Sequence, residues 1–525
     1  MRAAIDLRRA ALMLLALAGA CYPGWLAVGS FAEPPAAKEK ADKKPHGAPD
    51  KLTPAVVGSH FCNNAGCHGG SPPTKNWKKE GYELLCRCEE ATFWEEHDKH
   101  GYAYEVLLGE RGQRMAKLLG YDVTKSIKCL SCHAVVIKDE AAKDGSGFRY
   151  ENEKEGVTCV ACHGPVKDWI SKHGVLSEIK VWRDPELDRA KKERWFGMTD
   201  LWNPAKRTKV CASCHIGHAG DASRPAKVVT HDMYAAGHPP LPGFEAAMFS
   251  DEMPQHWQYL GQKSKPIQES LGYDGKTREP TQLLLVGAAV SLGESLRLVI
   301  SQVKESEKPG RDPELAMFDC YSCHHEIRSP SWRLTRPPLG KVGRVPMRTW
   351  PIELVRLAVQ HLAKDEAEAK AETAKLEAHM SALQNAFTAK QLGDATKIVN
   401  EAERFEKWAD RLASKLQDSV VDEAATTKLL RVLPTIFADK TLDFDSARQV
   451  AWGYEVLRGD SGMGKAKLSP DHAALEKYLE LRFPKGRMKA GKSPIEEDLS
   501  KRMRKLYDYE PKQFRELLGK LGGSK

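Results

Sequence analysis

The sequence predicts a mainly α fold, in which a front domain of helices and long irregular loops precedes an all-helical C-terminal domain. Three observations carry this. No stretch alternates apolar and polar residues long enough for a sizeable sheet. Beyond residue 351, apolar residues recur at three- and four-residue spacing, as in Leu376, Met380, Leu383 and Phe387. Every paired cysteine falls within residues 58–330 and none follows Cys323, so the chain changes character along its length. At 525 residues it exceeds one ordinary hydrophobic core, and two or more domains are expected. Apolar residues make up 41% and aromatics 8%, a thin supply if side chains alone filled the interior.

The first residues form a basic turn (Arg2, Arg8, Arg9) followed by an apolar run from Ala10 to Ala20, the pattern of an export signal. Residues 1–32 read as a signal peptide ending at Ser30-Phe31-Ala32, or as an uncleaved membrane anchor through residues 10–32. Cys21 adds a lipoprotein alternative, weakened by Ala18 where Leu is preferred. Each reading places the chain in the periplasm or another exported compartment. Residues 33–57, charged and Pro-containing, read as a linker.

Thirteen cysteines are present. Ten fall into five pairs, leaving Cys21, Cys86 and Cys88, which argues against a disulfide framework. Four segments read Cys-x-x-Cys-His: Cys129, Cys132 and His133; Cys159, Cys162 and His163; Cys211, Cys214 and His215; Cys320, Cys323 and His324. This is the attachment signature for c-type haem. The two thiols form thioethers with the vinyl groups on one porphyrin edge, and the histidine that follows is held under the iron. Paired cysteines also build zinc ribbons, but zinc does not require histidine directly after the second cysteine. With 18 His in 525 residues, that neighbour arises by chance about 3% of the time, and four times over roughly once in a million.

A further candidate, first in chain order, is Cys62, Cys67 and His68, whose loop holds four residues instead of two. Gly66 gives the longer loop its flexibility. A Cys62–Cys67 disulfide, or pairing with Cys86 or Cys88, is the alternative; those last two carry no haem signature and are left as a disulfide or as thiols. The expected cofactor is therefore covalent haem c, about five per chain. The formal charge of +9 comes from 80 basic and 71 acidic residues scattered through helices, which argues against nucleic acid as a partner. About five haems bring roughly ten propionate charges, nearly cancelling it.

Function turns on the second axial ligands, because a haem closed by two histidines suits electron transfer whereas an open position binds a small molecule. His100, His173 and His238 lead the candidates. Trp94 and His97 share a helical face ahead of His100, and His173 follows Gly164-Pro165 and Trp169. His231 and His256 rank behind, and His97, His218 and His325 lower still. His46, His361, His379 and His472 lie outside the haem-rich region and read as surface or helix residues.

Thr281 to Val303 is strongly apolar and follows Pro280, predicting a buried helix; Glu294 and Arg297 argue against a membrane span. Residues 331–350, rich in Pro, Arg and Trp, read as a connector. Within 351–525, Asp394 can cap a helix whose face is Ile398, Ala402, Phe405, Ala409 and Leu412. Further helices are expected around Ala424–Phe437, Asp445–Leu457, Pro470–Phe483 and Pro511–Leu521. The run Lys364–Lys375 reads as a solvated helical face. This domain is expected to serve packing, oligomerisation or docking.

The haem-rich region resembles the tetrahaem cytochrome c-552/c-554 family over residues 58–220, and more weakly to 330. The likeness rests on Trp94 and His100, on Ile127-Lys-Cys-Leu-Ser-Cys-His133, on Gly156-Val-Thr-Cys-Val-Ala-Cys-His-Gly-Pro165 with His173 downstream, and on Val210-Cys-Ala-Ser-Cys-His215. It implies haems stacked in close pairs within a mostly helical fold, and electron transport. It further implies that His173 caps the haem of His68, that His100 caps that of His163, and that the haem of His133 keeps an open face. The stretched first motif, the site at Cys320 and the C-terminal extension depart from the family pattern. The expected role is an electron carrier between a redox donor and acceptor. The alternative is an oxidoreductase acting on a small nitrogen or oxygen species at one open haem, near Tyr234, His231 and His238.

Overall fold

The computed structural model describes residues 44–45, 47–51, 58–70, 88–139, 147–151, 155–175, 177–184, 186–325, 329–335, 339–462, 469–483 and 506–523. The expected signal or anchor at 1–32, most of the 33–57 linker, His46 and Cys86 lie outside them. The described chain is mainly helical, and its one hairpin, among the described residues, pairs Val135–Lys138 antiparallel with Phe148–Glu151.

The helix Glu279–Ser306 is the centre of the packing. Pro280 stands in its first turn, where a missing backbone N–H leaves no bond unmade. Its apolar surface is long enough to cross a membrane, yet Leu283 through Leu292 are buried inside the protein. Helices Pro204–His215, Ala246–Glu252, Trp350–Leu362 and Ala395–Gln417 pack against it. Arg297 is accommodated because it reaches Glu294 and Glu406 at 2.8 Å each, and Asp410 beside Glu406 on the neighbouring helix.

The C-terminal helices start where local chemistry starts them. Asp365, Asp394, Asp422 and Asp443 each accept a hydrogen bond from a backbone N–H three residues on, at the heads of Glu366–Phe387, Ala395–Gln417, Glu423–Phe437 and Phe444–Asp460. Ser469 does the same for Pro470–Leu479. The last described helix is Pro511–Gly523.

One apolar core runs from Ala212 to Leu521 and includes Met317, Phe318, Met347 and Trp350. Met347 and Trp350 of the expected connector belong to it. Beside it, among the described residues, lie two small clusters, one around Leu107, Leu130 and Met233 and one around Val160, Trp169, Trp182 and Phe196. The region with the densest cysteine motifs thus has the least side-chain core.

Candidate functional site

Four motifs sit on single helical turns. Cys129 to His133 ends the helix Ile127–His133, Cys159 to His163 is a helix of its own, and Cys211 to His215 closes Pro204–His215. On a helix, positions i, i+3 and i+4 share a face, so both thiols and the imidazole are presented to the same side. Cys320–Ser322 is a tighter turn, in which the His324 backbone N–H donates to the Cys320 carbonyl at 2.8 Å.

The stretched motif reaches the same geometry by a different route. Cys67 donates to the Asn64 carbonyl at 2.8 Å, folding the extra residues into a turn, and His68 donates to the Cys62 carbonyl at 3.2 Å. That bond is the counterpart of His324 to Cys320. Neither Cys62 nor Cys67 is in a disulfide.

Each of the five motif histidines faces one other histidine. Ring centroids are 5.9 Å apart for His68 and His173, and 6.2 Å for His215 and His100. They are 6.4 Å apart for His133 and His238, 6.5 Å for His163 and His256, and 6.2 Å for His324 and His231. A metal–imidazole nitrogen bond is about 2.0 Å and the ring centre lies roughly 1.1 Å beyond the nitrogen, so two imidazoles on one metal place their centroids about 6.2 Å apart. All five pairs fit that span. Nine of the ten rings are half-buried, and His324 is exposed.

The structure corrects the pairing that the resemblance implies. His173 does stand opposite His68, but His100 faces His215 and not His163. His133, expected to have an open face, has His238 standing across from it. His231 and His256, ranked behind the leading candidates, complete the remaining pairs. Their local sequence makes them candidates but does not name their partners, because each partner lies on a separate element far along the chain. Three other described histidines are engaged elsewhere. His472 is buried with Glu455 at its Nε2, His361 Nε2 meets Ser419 Oγ at 3.1 Å, and His379 lies over Phe405.

Hydrogen bonds at Nδ1 aim several rings, leaving Nε2 for a metal. His68 Nδ1 is 2.7 Å from Glu90 Oε2, and His100 Nδ1 is 2.9 Å from the buried Asp98 Oδ1. His133 Nδ1 donates to the Ala103 carbonyl and His238 Nδ1 to the Pro239 carbonyl, both at 2.7 Å. The carboxylate of Glu90 raises the His68 pKa. Burial pushes His163, His173, His215 and His238 down to about 4, so these rings are neutral at pH 7 with a lone pair to give.

The surroundings also suit a porphyrin. Trp169 and Trp257 stand beside His173 and His256, at 5.5 and 5.1 Å between ring centroids. Their buried indole N–H groups have no acceptor among the described residues, a deficit that a propionate would fill. The thiols of Cys62 and Cys159 touch, as do those of Cys132 and Cys214. The attachment edges of the first and third sites therefore meet, and so do those of the second and fourth. Haem, when bound, supplies reversible one-electron chemistry at its iron. The protein's part is to hold both faces and keep neighbouring sites close.

No curated protein and no solved structure matches the chain. Residues 85–164, which hold the second and third motifs together with His100, match the family described as cytochrome c554 and c-prime. That match supports a c-type cytochrome that binds haem covalently and transfers electrons.

Proposed function

We propose that this chain is an exported pentahaem c-type cytochrome that relays electrons between a redox donor and an acceptor, every iron being held between two histidines. One observation carries the reading: each motif histidine, His68, His133, His163, His215 and His324, faces a second histidine across a gap of one metal's width. The axial pairs are then His68 with His173, His133 with His238, His163 with His256, His215 with His100 and His324 with His231. An iron closed on both faces exchanges electrons without binding substrate. Export is supported by the basic and apolar pattern at the N-terminus and by the oxidising, extracytoplasmic setting usual for covalent haem.

The test is haem per polypeptide by pyridine haemochrome, on protein made in a host with haem c maturation, followed by carbon monoxide on the reduced form. Five haems and an unaltered reduced spectrum are expected. Four haems would remove Cys62, Cys67 and His68 from the sites. A haem that takes carbon monoxide would turn the reading towards an oxidoreductase with an open iron. No haem would overturn it.

A further inference from the structure

We propose that Lys227 tunes the second and fourth haems, acting as a fixed positive charge at the junction of their attachment edges and raising the reduction potential of both. The inference rests on the five-haem reading above. The Lys227 ammonium lies 3.2 Å from Cys214 Sγ and 3.3 Å from Ser213 Oγ, and the Cys132 thiol touches that of Cys214 at the same place. One ammonium thus stands beside sulfurs that belong to two different sites.

Its position is built into the backbone. Lys227 and His218 form a two-way bridge, with both N–H groups donating at 2.9 Å. This anchors Lys227 to the segment that directly follows His215. Gly217 makes the close approach feasible: its φ is +128°, and a Cβ there would meet the Lys227 carbonyl oxygen at 2.8 Å.

The charge is not neutralised locally. The nearest acid before it in sequence, Asp221, is held by Arg224 through contacts of 3.0 and 2.7 Å, and it also accepts from Ser223. No ion pair among the described residues involves Lys227. The side chain is half-buried, so dissolved salt screens it less than it would a surface lysine. Reduction adds an electron to the iron, and a nearby unpaired cation favours the state with that electron. A lysine at the surface would have no comparable hold on two haems at once.

The experiment compares the wild type with Lys227→Met, Lys227→Gln and Lys227→Arg by spectroelectrochemical titration, after a haem count on each. We expect two of the five midpoint potentials to fall in the Met and Gln variants. The other three should hold their values, and Arg should restore the pair. Unchanged potentials in both uncharged variants would overturn the proposal, as would an equal fall in the Arg variant, which would mark a structural role. A wild-type haem count lacking the second or fourth haem would instead refute the parent reading, and the separate count tells the two failures apart.

Discussion

His256 is the proposed ligand least visible in the sequence, and replacing it tests the geometry most directly. Its ring centroid stands 6.5 Å from that of His163, the span of two imidazoles on one iron. His256→Ala removes one of the ten axial nitrogens and leaves the other four pairs intact. In the reduced protein, carbon monoxide should then bind roughly one fifth of the haem, against none in the wild type. The assay is a carbon monoxide titration of the dithionite-reduced protein, normalised to haem by pyridine haemochrome. His379→Ala is the control, because that ring lies 5.2 Å over Phe405, away from any motif. The pairing is tested by His100→Ala combined with His256→Ala. If His100 serves His215, two irons open and about two fifths of the haem binds. If His100 served His163, His256 would be a bystander, the haem of His215 would already bind in the wild type, and the double variant would add only about one fifth to that baseline. A single His256→Ala variant that takes up no carbon monoxide would refute the reasoning.

Further outcomes follow from other residues. Glu90→Gln removes the carboxylate 2.7 Å from His68 Nδ1; the imidazole becomes a weaker donor, the oxidised iron loses stabilisation, and one midpoint potential should rise in a redox titration. Glu245 is buried at the head of Ala246–Glu252, and burial raises its carboxyl to about 7. The folded state therefore holds a proton that the unfolded state releases above its ordinary pKa near 4.5. Its contribution to stability is greatest below that value and is lost as pH rises towards 7. Denaturation midpoints of the wild type should decline relative to Glu245→Gln across that window. Leu284 is fully buried in Glu279–Ser306, and Leu284→Ala should cost about 2–5 kcal/mol in denaturant unfolding followed by far-ultraviolet circular dichroism, with the haem count unchanged.

What could be read in the sequence was what depends on neighbours a few residues apart. The Cys-x-x-Cys-His turns, the cap at Asp394 and the Glu279–Ser306 helix are all written within one or two turns of chain. The opposed histidines are not local. His163 on its short helix meets His256 in a loop, and His324 meets His231 at the head of another helix, so only tertiary structure brings them together. Family resemblance implied that His100 pairs with His163, whereas His256 stands across from His163 and His100 across from His215. Composition was informative in a coarser way. The thin apolar content is concentrated in one core from Ala212 onward, leaving the front of the chain to organise around its sites.

Under the five-haem reading proposed above, the C-terminal helices are part of the redox architecture through the fifth site. Phe318 bridges Met347, and Asp319 donates its backbone N–H to the Pro346 carbonyl at 2.8 Å. The Phe318 ring packs edge-on to Phe387 at 5.3 Å, and Tyr321 reaches Asp445 on Phe444–Asp460 at 3.4 Å. Residues immediately before and within the Cys320 motif are thereby fastened to the helical bundle. The opposing ligand comes from the other direction. His231 begins the helix His231–Ala236, its backbone N–H donates to Glu314 at 2.8 Å, and the same segment continues to His238 opposite His133. Bundle and motif region therefore each supply one face of the fifth site, and His231 ties that site to the second. A separate appended domain would need neither the shared core nor these ties. The bundle's large interior is best understood as the rigid support that holds His324, the most exposed of the ten opposed rings, across from its partner.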